Sequence, residues 1–159
     1  MSEPGRSLDR LAKRFGPGAL AAADYARQGF HHRLALGGDY VRELAGIMAE
    51  EGFYLEYLTA VDRGPRLELI YVYNRLDRVQ RLIAAAAVRK GVAVPSIARV
   101  FASADWMERE VYDLFGQRFI GHPNLRRILL PEDADFHPLL KEFRAGPAHG
   151  GETVKLEAR

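Results

Sequence analysis

A two-layer α+β fold, with helices on one face of a mostly antiparallel sheet, is what this sequence of 159 residues predicts. Three observations carry the prediction. Apolar spacing switches repeatedly between the helical period and the two-residue period of a strand. Three strand-like stretches follow one another with only short turns between them, which makes them antiparallel neighbours. Glycine or proline stands at most of the switches, where a chain changes direction.

Taken in order, Leu8, Leu11 and Phe15 recur at helical spacing over Ser7 to Phe15, and Gly16-Pro17-Gly18 stops that helix. Residues 19–25 are alanine-rich but short and lie between Gly18 and Gly29, so they are read as a strand. His31 to Leu36 alternates as a second strand and ends at Gly37-Gly38. Asp39 is the expected N-cap of a helix whose stripe is Val41, Leu44, Ile47 and Met48. That helix stops at Gly52. Phe53, Leu55, Tyr57 and Thr59 then alternate with Tyr54, Glu56 and Leu58 in a strand. Asp62-Arg63-Gly64-Pro65 is a turn, and the next strand puts Leu67, Leu69, Tyr71 and Tyr73 on one face. Asn74 to Asp77 turns again. Val79 to Val88 is a third strand, against the helical preference of its four consecutive alanines. The element order is therefore helix, two strands, helix, three strands, followed by a further helix and a long irregular extension. By this reading residues 1–116 form the α+β domain, 117–143 an irregular partner-binding extension and 144–159 a flexible tail.

Composition narrows the chemistry. There is no cysteine, so the chain can hold no disulfide, no thiolate-ligated iron–sulfur cluster and no cysteine nucleophile. The sequence pI near 9 reflects 23 basic against 21 acidic side chains. No polybasic stretch occurs, which speaks against nucleic acid as the partner. No apolar run approaches the roughly 20 residues of a membrane span, and no signal peptide is expected at the N-terminus. His31 and His32 are adjacent, and His122, His137 and His149 stand in no metal-ligand spacing. Ser7, Thr59, Ser96 and Ser103 sit in no nucleophile elbow, and Gly37-Gly38 lacks the rest of a phosphate loop. Tyr54, Tyr57, Tyr71 and Tyr73 are read as cross-strand packing.

The informative stretch is 103–143. Ser103 to Gly116 reads as a helix in which Asp105 and Glu108 have capping-box spacing and Gly116 closes the C-terminus. On a helical wheel Met107, Val111, Tyr112, Leu114 and Phe115 form the apolar arc. Trp106, Arg109, Glu110 and Asp113 lie outside it, with Arg109 and Asp113 spaced to pair. Glu108 falls inside the apolar arc. Either it caps or reaches solvent, or it meets Arg126, Arg127 or a subunit interface. Beyond Gly116, Gly121, Pro123, Pro131 and Pro138 forbid a long regular element, yet the segment carries Leu125, Ile128, Leu129, Leu130, Phe136, Leu139, Leu140 and Phe143. Such a segment either wraps its own core or lies on a partner. His122 and His137 each precede proline, which holds their backbone extended, and are read as turn residues whose rings hydrogen-bond locally or at an interface.

The run W-M-E-R-E-V-Y-D-L-F-G, then five residues, then H-P-N-L-R-R-I-L-L-P-E-D, with H-P-L following, resembles the signature of the 30-kDa subunit family of NADH:quinone oxidoreductase, respiratory complex I. The family is shared with membrane-bound hydrogenase and formate hydrogenlyase complexes. The resemblance is close over 104–143 and weaker over 7–103. It implies a non-catalytic scaffold in the peripheral arm that docks on the large-hydrogenase-like quinone-site subunit. It implies NADH, quinone and iron–sulfur clusters in partner subunits and none in this chain. It also implies a peripheral place on the cytoplasmic face of the membrane, with only indirect membrane contact. The signature positions implied at the subunit interface are Trp106, Glu108, Arg109, Glu110, Asp113, Phe115, Gly116, His122, Pro123, Leu125, Arg126, Arg127, Leu130, Pro131, His137 and Pro138. Leu140 departs from the family pattern, which often has a basic residue there. The alternatives are the equivalent subunit of a [NiFe]-hydrogenase or formate hydrogenlyase complex, or a free-standing small binding module.

Overall fold

The computed structural model describes residues 4–144; His149 and the expected tail, but for Arg144, lie outside them. Helix α1 spans Pro4–Phe15, strand β1 Leu20–Ala22, the short helix α2 Tyr25–Gln28 and strand β2 His32–Gly37. A 3-10 turn at Gly38–Tyr40 leads into α3, Val41–Glu50. Strands β3 (Tyr54–Asp62), β4 (Arg66–Asn74) and β5 (Leu82–Arg89) follow, then β6 (Val94–Pro95), α4 (Ala104–Phe115) and β7 (Phe119–Ile120).

The main sheet has the order β1-β2-β5-β4-β3. Its β3–β4–β5 meander is antiparallel, while β2 runs parallel to β5 because α3 and two strands intervene. Leu11 of α1, Leu44 and Met48 of α3, and Val111 of α4 pack on one face against Leu34, Leu58, Leu69, Tyr71, Tyr73 and Leu82. The fold class and the mostly antiparallel sheet are those the sequence predicts.

Four details differ. Asp39 does not cap α3: it lies within the 3-10 turn, and the position before α3 is Tyr40, with no side-chain cap. The turn is pinned instead by Gly38, where a Cβ would stand 2.7 Å from side-chain atoms of both Val88 and Val94. A register shift in β3 between Leu55 and Tyr57 turns the alternation over. Leu55, Leu58, Ala60 and Asp62 therefore face inward and Tyr57 is exposed. Helix α2 and the β6–β7 parallel pair are too short to leave a periodicity.

The alanine run is a strand for a packing reason. Ala84 lies opposite Tyr71 and Ala86 opposite Leu69, so small side chains in the central strand accept large ones beside them. Tertiary packing overrides local preference here. Among the described residues, no helix is long and apolar enough to cross a membrane.

Candidate docking site

Helix α4 is held by its ends and its inward residues. Ser103 precedes it without a side-chain cap, so the expected Asp105–Glu108 capping box does not form. Gly116 ends it in the left-handed region, with φ 72°, and its N–H donates to the Tyr112 carbonyl. Any other residue is strained there, because a Cβ on Gly116 would lie 2.8 Å from the His137 ring.

The segment after β7 is anchored to α4 by one carboxylate. Asp113 is fully buried. Its Oδ2 accepts the backbone N–H groups of Ile128, Leu129 and Leu130 at 3.0, 2.7 and 3.0 Å. Its Oδ1 accepts from Arg127 Nη1 at 2.6 Å. A bend with no strand partner thus has its donors satisfied by a side chain. Burial alone would raise the pKa of Asp113. The N–H groups of Leu130 and Leu129, the Arg127 guanidinium and the Ile128 N–H outweigh it and hold the group at about 2. Arg127 also donates to the carbonyls of Ala134 and Phe136, and the Asp113 carbonyl lies 2.9 Å from His137 Nδ1. Residues 127 to 137 are thereby bent around the end of α4, as the middle of a strap that runs from residue 125 to 143.

Arg109 does not pair with Asp113 along the surface. It is buried, and its guanidinium donates to the carbonyls of Arg126 and Arg127 at 3.2 and 3.4 Å, lying over the Trp106 ring at 4.8 Å. The helical wheel misplaced both residues because the strap covers a side of α4 that a lone helix would give to solvent.

Glu108 takes neither expected course. It is fully buried and makes no ion pair with Arg126 or Arg127; its Oε2 accepts Ser96 Oγ–H at 2.5 Å and its Oε1 the Ile97 N–H at 2.7 Å. It therefore ties α4 to the segment that follows β6. Burial pushes its carboxyl up to about 7, against the lowering effect of the Ser96 and Ile97 donors. The buried His122 ring stands 3.8 Å from Oε2. His122 Nδ1 accepts the Asn124 N–H, which leaves Nε2 to donate to the Asp105 carbonyl at 3.0 Å. Both signature histidines thus bond carbonyls of α4, 17 and 24 residues away in the chain, and only His122 adds a bond within its own turn.

A second anchor, not singled out in the sequence, closes the far end of the strap. Asp62 accepts the Lys141 N–H and the Lys90 ammonium, both at 2.7 Å, and Lys90 also reaches Glu142 at 2.6 Å. Burial would raise the pKa of Asp62, but Lys141, Lys90 and Gly64 hold it at about 2. The available signal was an acid in the inward series Leu58, Ala60, Asp62, hidden by the bulge.

The strap has two sides. Its polar anchors point inward and Leu125 packs partly against the core. Its outer side leaves Leu129 61% and Leu139 50% exposed, with Phe136 stacked on Phe143; Trp106 on α4 is 65% exposed. Pro123, Arg126 and Pro131 are exposed; Glu110, Phe115, Leu130 and Pro138 are half-buried. Among the described residues, no group of three or more His, Cys, Asp or Glu is placed to hold a metal ion. The strap is thus fixed by buried polar anchors on one side and presents large apolar side chains on the other.

Comparison with known proteins gives one family. The family described as the respiratory-chain NADH dehydrogenase 30-kDa subunit matches residues 36–149. A relative from Chlorobium phaeobacteroides, itself named as an NADH-quinone oxidoreductase subunit, is 41% identical over 103 residues. That stretch covers 62% of this chain and 61% of the relative. A relative of the same name from Ruegeria is 46% identical over 89 residues, covering 54% of this chain and 44% of the relative. The chain thus matches about half the length of these relatives. Among solved structures, a trypsin-resistant fragment of Nqo5 superposes with a TM-score of 0.61 at 25% identity, covering 75% of this chain and 99% of the fragment. A chain of the archaeal membrane-bound sulfane sulfur reductase shares the fold, with a TM-score of 0.72 at 20% identity, covering 89% of this chain and 86% of that one.

Proposed function

Because the chain belongs to the 30-kDa subunit family of the respiratory-chain NADH dehydrogenase, we propose that it is a non-catalytic structural subunit of a proton-translocating NADH:quinone oxidoreductase. It docks on the large-hydrogenase-like quinone-site subunit and braces it within the peripheral arm, at the cytoplasmic face of the membrane. NADH, quinone and the iron–sulfur clusters belong to the partner subunits.

The observation that supports this reading is the two-sided strap. An irregular segment held only by its own core would turn its large apolar side chains inward. Here its backbone is stapled to Asp113 and Asp62 while Leu129, Phe136 and Leu139 stay outside. A preorganised surface of this kind loses little entropy on docking. The polar signature residues then serve docking indirectly, by fixing the strap, and the partner meets the apolar residues around them.

Affinity purification of the full chain from native membranes, with mass spectrometry of the recovered proteins, tests the proposal. Recovery of NADH dehydrogenase subunits, the quinone-site subunit among them, is expected. Recovery of [NiFe]-hydrogenase subunits instead, or of the chain alone, contradicts it.

A further inference from the structure

The helices and the strap lie on one face of the five-stranded sheet. Among the described residues no helix packs on the opposite face, which is crossed by the Arg33 side chain reaching Glu68, and it is not the polar face that a solvated antiparallel sheet usually presents. The register places Thr59, Ile70, Ala85 and Ala35 in one row across β3, β4, β5 and β2. Val72 and Ile83 stand side by side in the next row, which runs from the exposed Tyr57 to Arg33 of β2. Ile70, Val72 and Ile83 are each only half-buried. This is a contiguous apolar surface, not a scatter of single side chains.

One end of the face is strongly basic. Glu68 is shared by two guanidinium groups, Arg33 at 2.6 Å and Arg63 at 2.7 Å. Arg33 reaches it across the small Ala85 and Ala87. In the row beyond, Arg66 stands directly opposite Arg89, and neither makes an ion pair among the described residues. Like charges facing each other across a strand pair cost stability, and the one carboxylate nearby, Glu68, is already taken by Arg33 and Arg63. The imbalance has a use when an anionic group from outside completes it.

We propose that this open sheet face is a second docking surface, separate from the strap, and that its occupant is an acidic amphipathic helix of a partner protein. A helix is the layer that covers a sheet face, as α1 and α3 do on the other side. Its apolar stripe lies on Ile70, Val72 and Ile83, and carboxylates at one end of it meet Arg66 and Arg89. The chain is then held from both sides of its sheet, which is how a brace differs from an appendage. The two arginines without an ion pair, Arg66 and Arg89, stand opposite each other at one end of the apolar patch, and a single cationic pair beside apolar side chains favours a peptide over the extended phosphate track of nucleic acid. The inference rests on the preceding reading only in requiring a multi-subunit partner.

The test uses the full chain in its native membranes, with a photo-reactive p-benzoylphenylalanine replacing Ile83 in one strain and Leu129 in another. From Ile83 the expected product is a cross-link to a partner peptide with acidic residues beside helically spaced apolar ones. Combining Arg66→Gln with Arg89→Gln should lower its yield about tenfold, with the thermal unfolding of the chain not lowered, since neither arginine has an ion-pair partner to lose among the described residues. A cross-link from Ile83 only to residues 145–159 of the same chain, to lipid or to nucleic acid overturns the inference, as does no cross-link. If Leu129 still cross-links to the quinone-site subunit in any of those cases, the proposed function stands without this surface. If Leu129 fails while Ile83 succeeds, the strap reading falls and this surface stands.

Discussion

Asp113 and Arg127 lie 14 residues apart in the chain and 2.6 Å apart in the fold, the carboxylate fully buried and the guanidinium 10% exposed. Around that pair the same carboxylate takes three consecutive backbone N–H groups. One side chain thus sets the course of the strap, and the placement of its outward apolar residues follows from it.

Asp113→Asn should cost about 3 kcal/mol of folding stability. It removes the charge that balances Arg127 and turns an amide NH2 toward donors, leaving buried groups unpaired. Urea unfolding measures the loss. Amide exchange at Ile128, Leu129 and Leu130 locates it: these three should exchange faster by a larger factor than amides of β4.

Acid should loosen the strap at both ends. Asp113 and Asp62 are held at about 2 in the fold, below the ordinary value of 3.8. Between these values the unfolded chain binds more protons, so stability falls as pH drops from about 4 to 2. Each buried carboxylate contributes about 2 kcal/mol to that fall. Denaturation midpoints of the wild type and Asp113→Asn across pH 2 to 5 check this, the variant showing the shallower decline.

Glu108 acts in the opposite sense. Its carboxyl is raised to about 7 from 4.5, so the folded chain holds the extra proton between those values. Its contribution to stability is fully present below about 4.5 and is lost as pH rises to about 7, a change of about 3 kcal/mol. Glu108→Gln keeps the shape of the protonated acid. Its stability should be flatter than the wild type between pH 5 and 8, and at pH 8 it should equal or exceed it. A parallel pH dependence in the two proteins would exclude Glu108 as the group responsible.

Gly116→Ala meets two obstacles, a φ of 72° and the His137 ring 2.8 Å from the new Cβ. Together these should cost about 2 kcal/mol, read as a lower unfolding midpoint. His137→Ala in the same chain should recover part of the loss, because it removes the clash and leaves the strained backbone.

Much of the fold is legible because its signals are local. The periodicity of Leu67, Leu69, Tyr71 and Tyr73 survives intact on one buried face. The bulge at Leu55/Tyr57 is not legible, since one extra residue reverses a parity without changing composition. The site was readable as a pattern more than as a geometry. The W-M-E-R-E-V-Y-D-L-F-G run is a helix as its spacing predicts, but a wheel treats that helix as solitary. Arg109 and Asp113 are buried by a strap that approaches from 14 or more residues away, and no periodicity encodes such a contact. Glu108 could be singled out as anomalous; its donors Ser96 and Ile97 could not, because they depend on how β6 is placed.

The central claim is that the polar signature residues shape the strap while its outward apolar residues make the contact. The most direct test combines Leu129→Ser with Leu139→Ser in the full chain and compares it with Asp113→Asn for both unfolding free energy and recovery of the quinone-site subunit from native membranes. The account predicts that the serine variant keeps its stability within about 1 kcal/mol of the wild type but loses about tenfold in recovery, while Asp113→Asn loses stability first. Recovery of the partner by the serine variant at the wild-type level would contradict it.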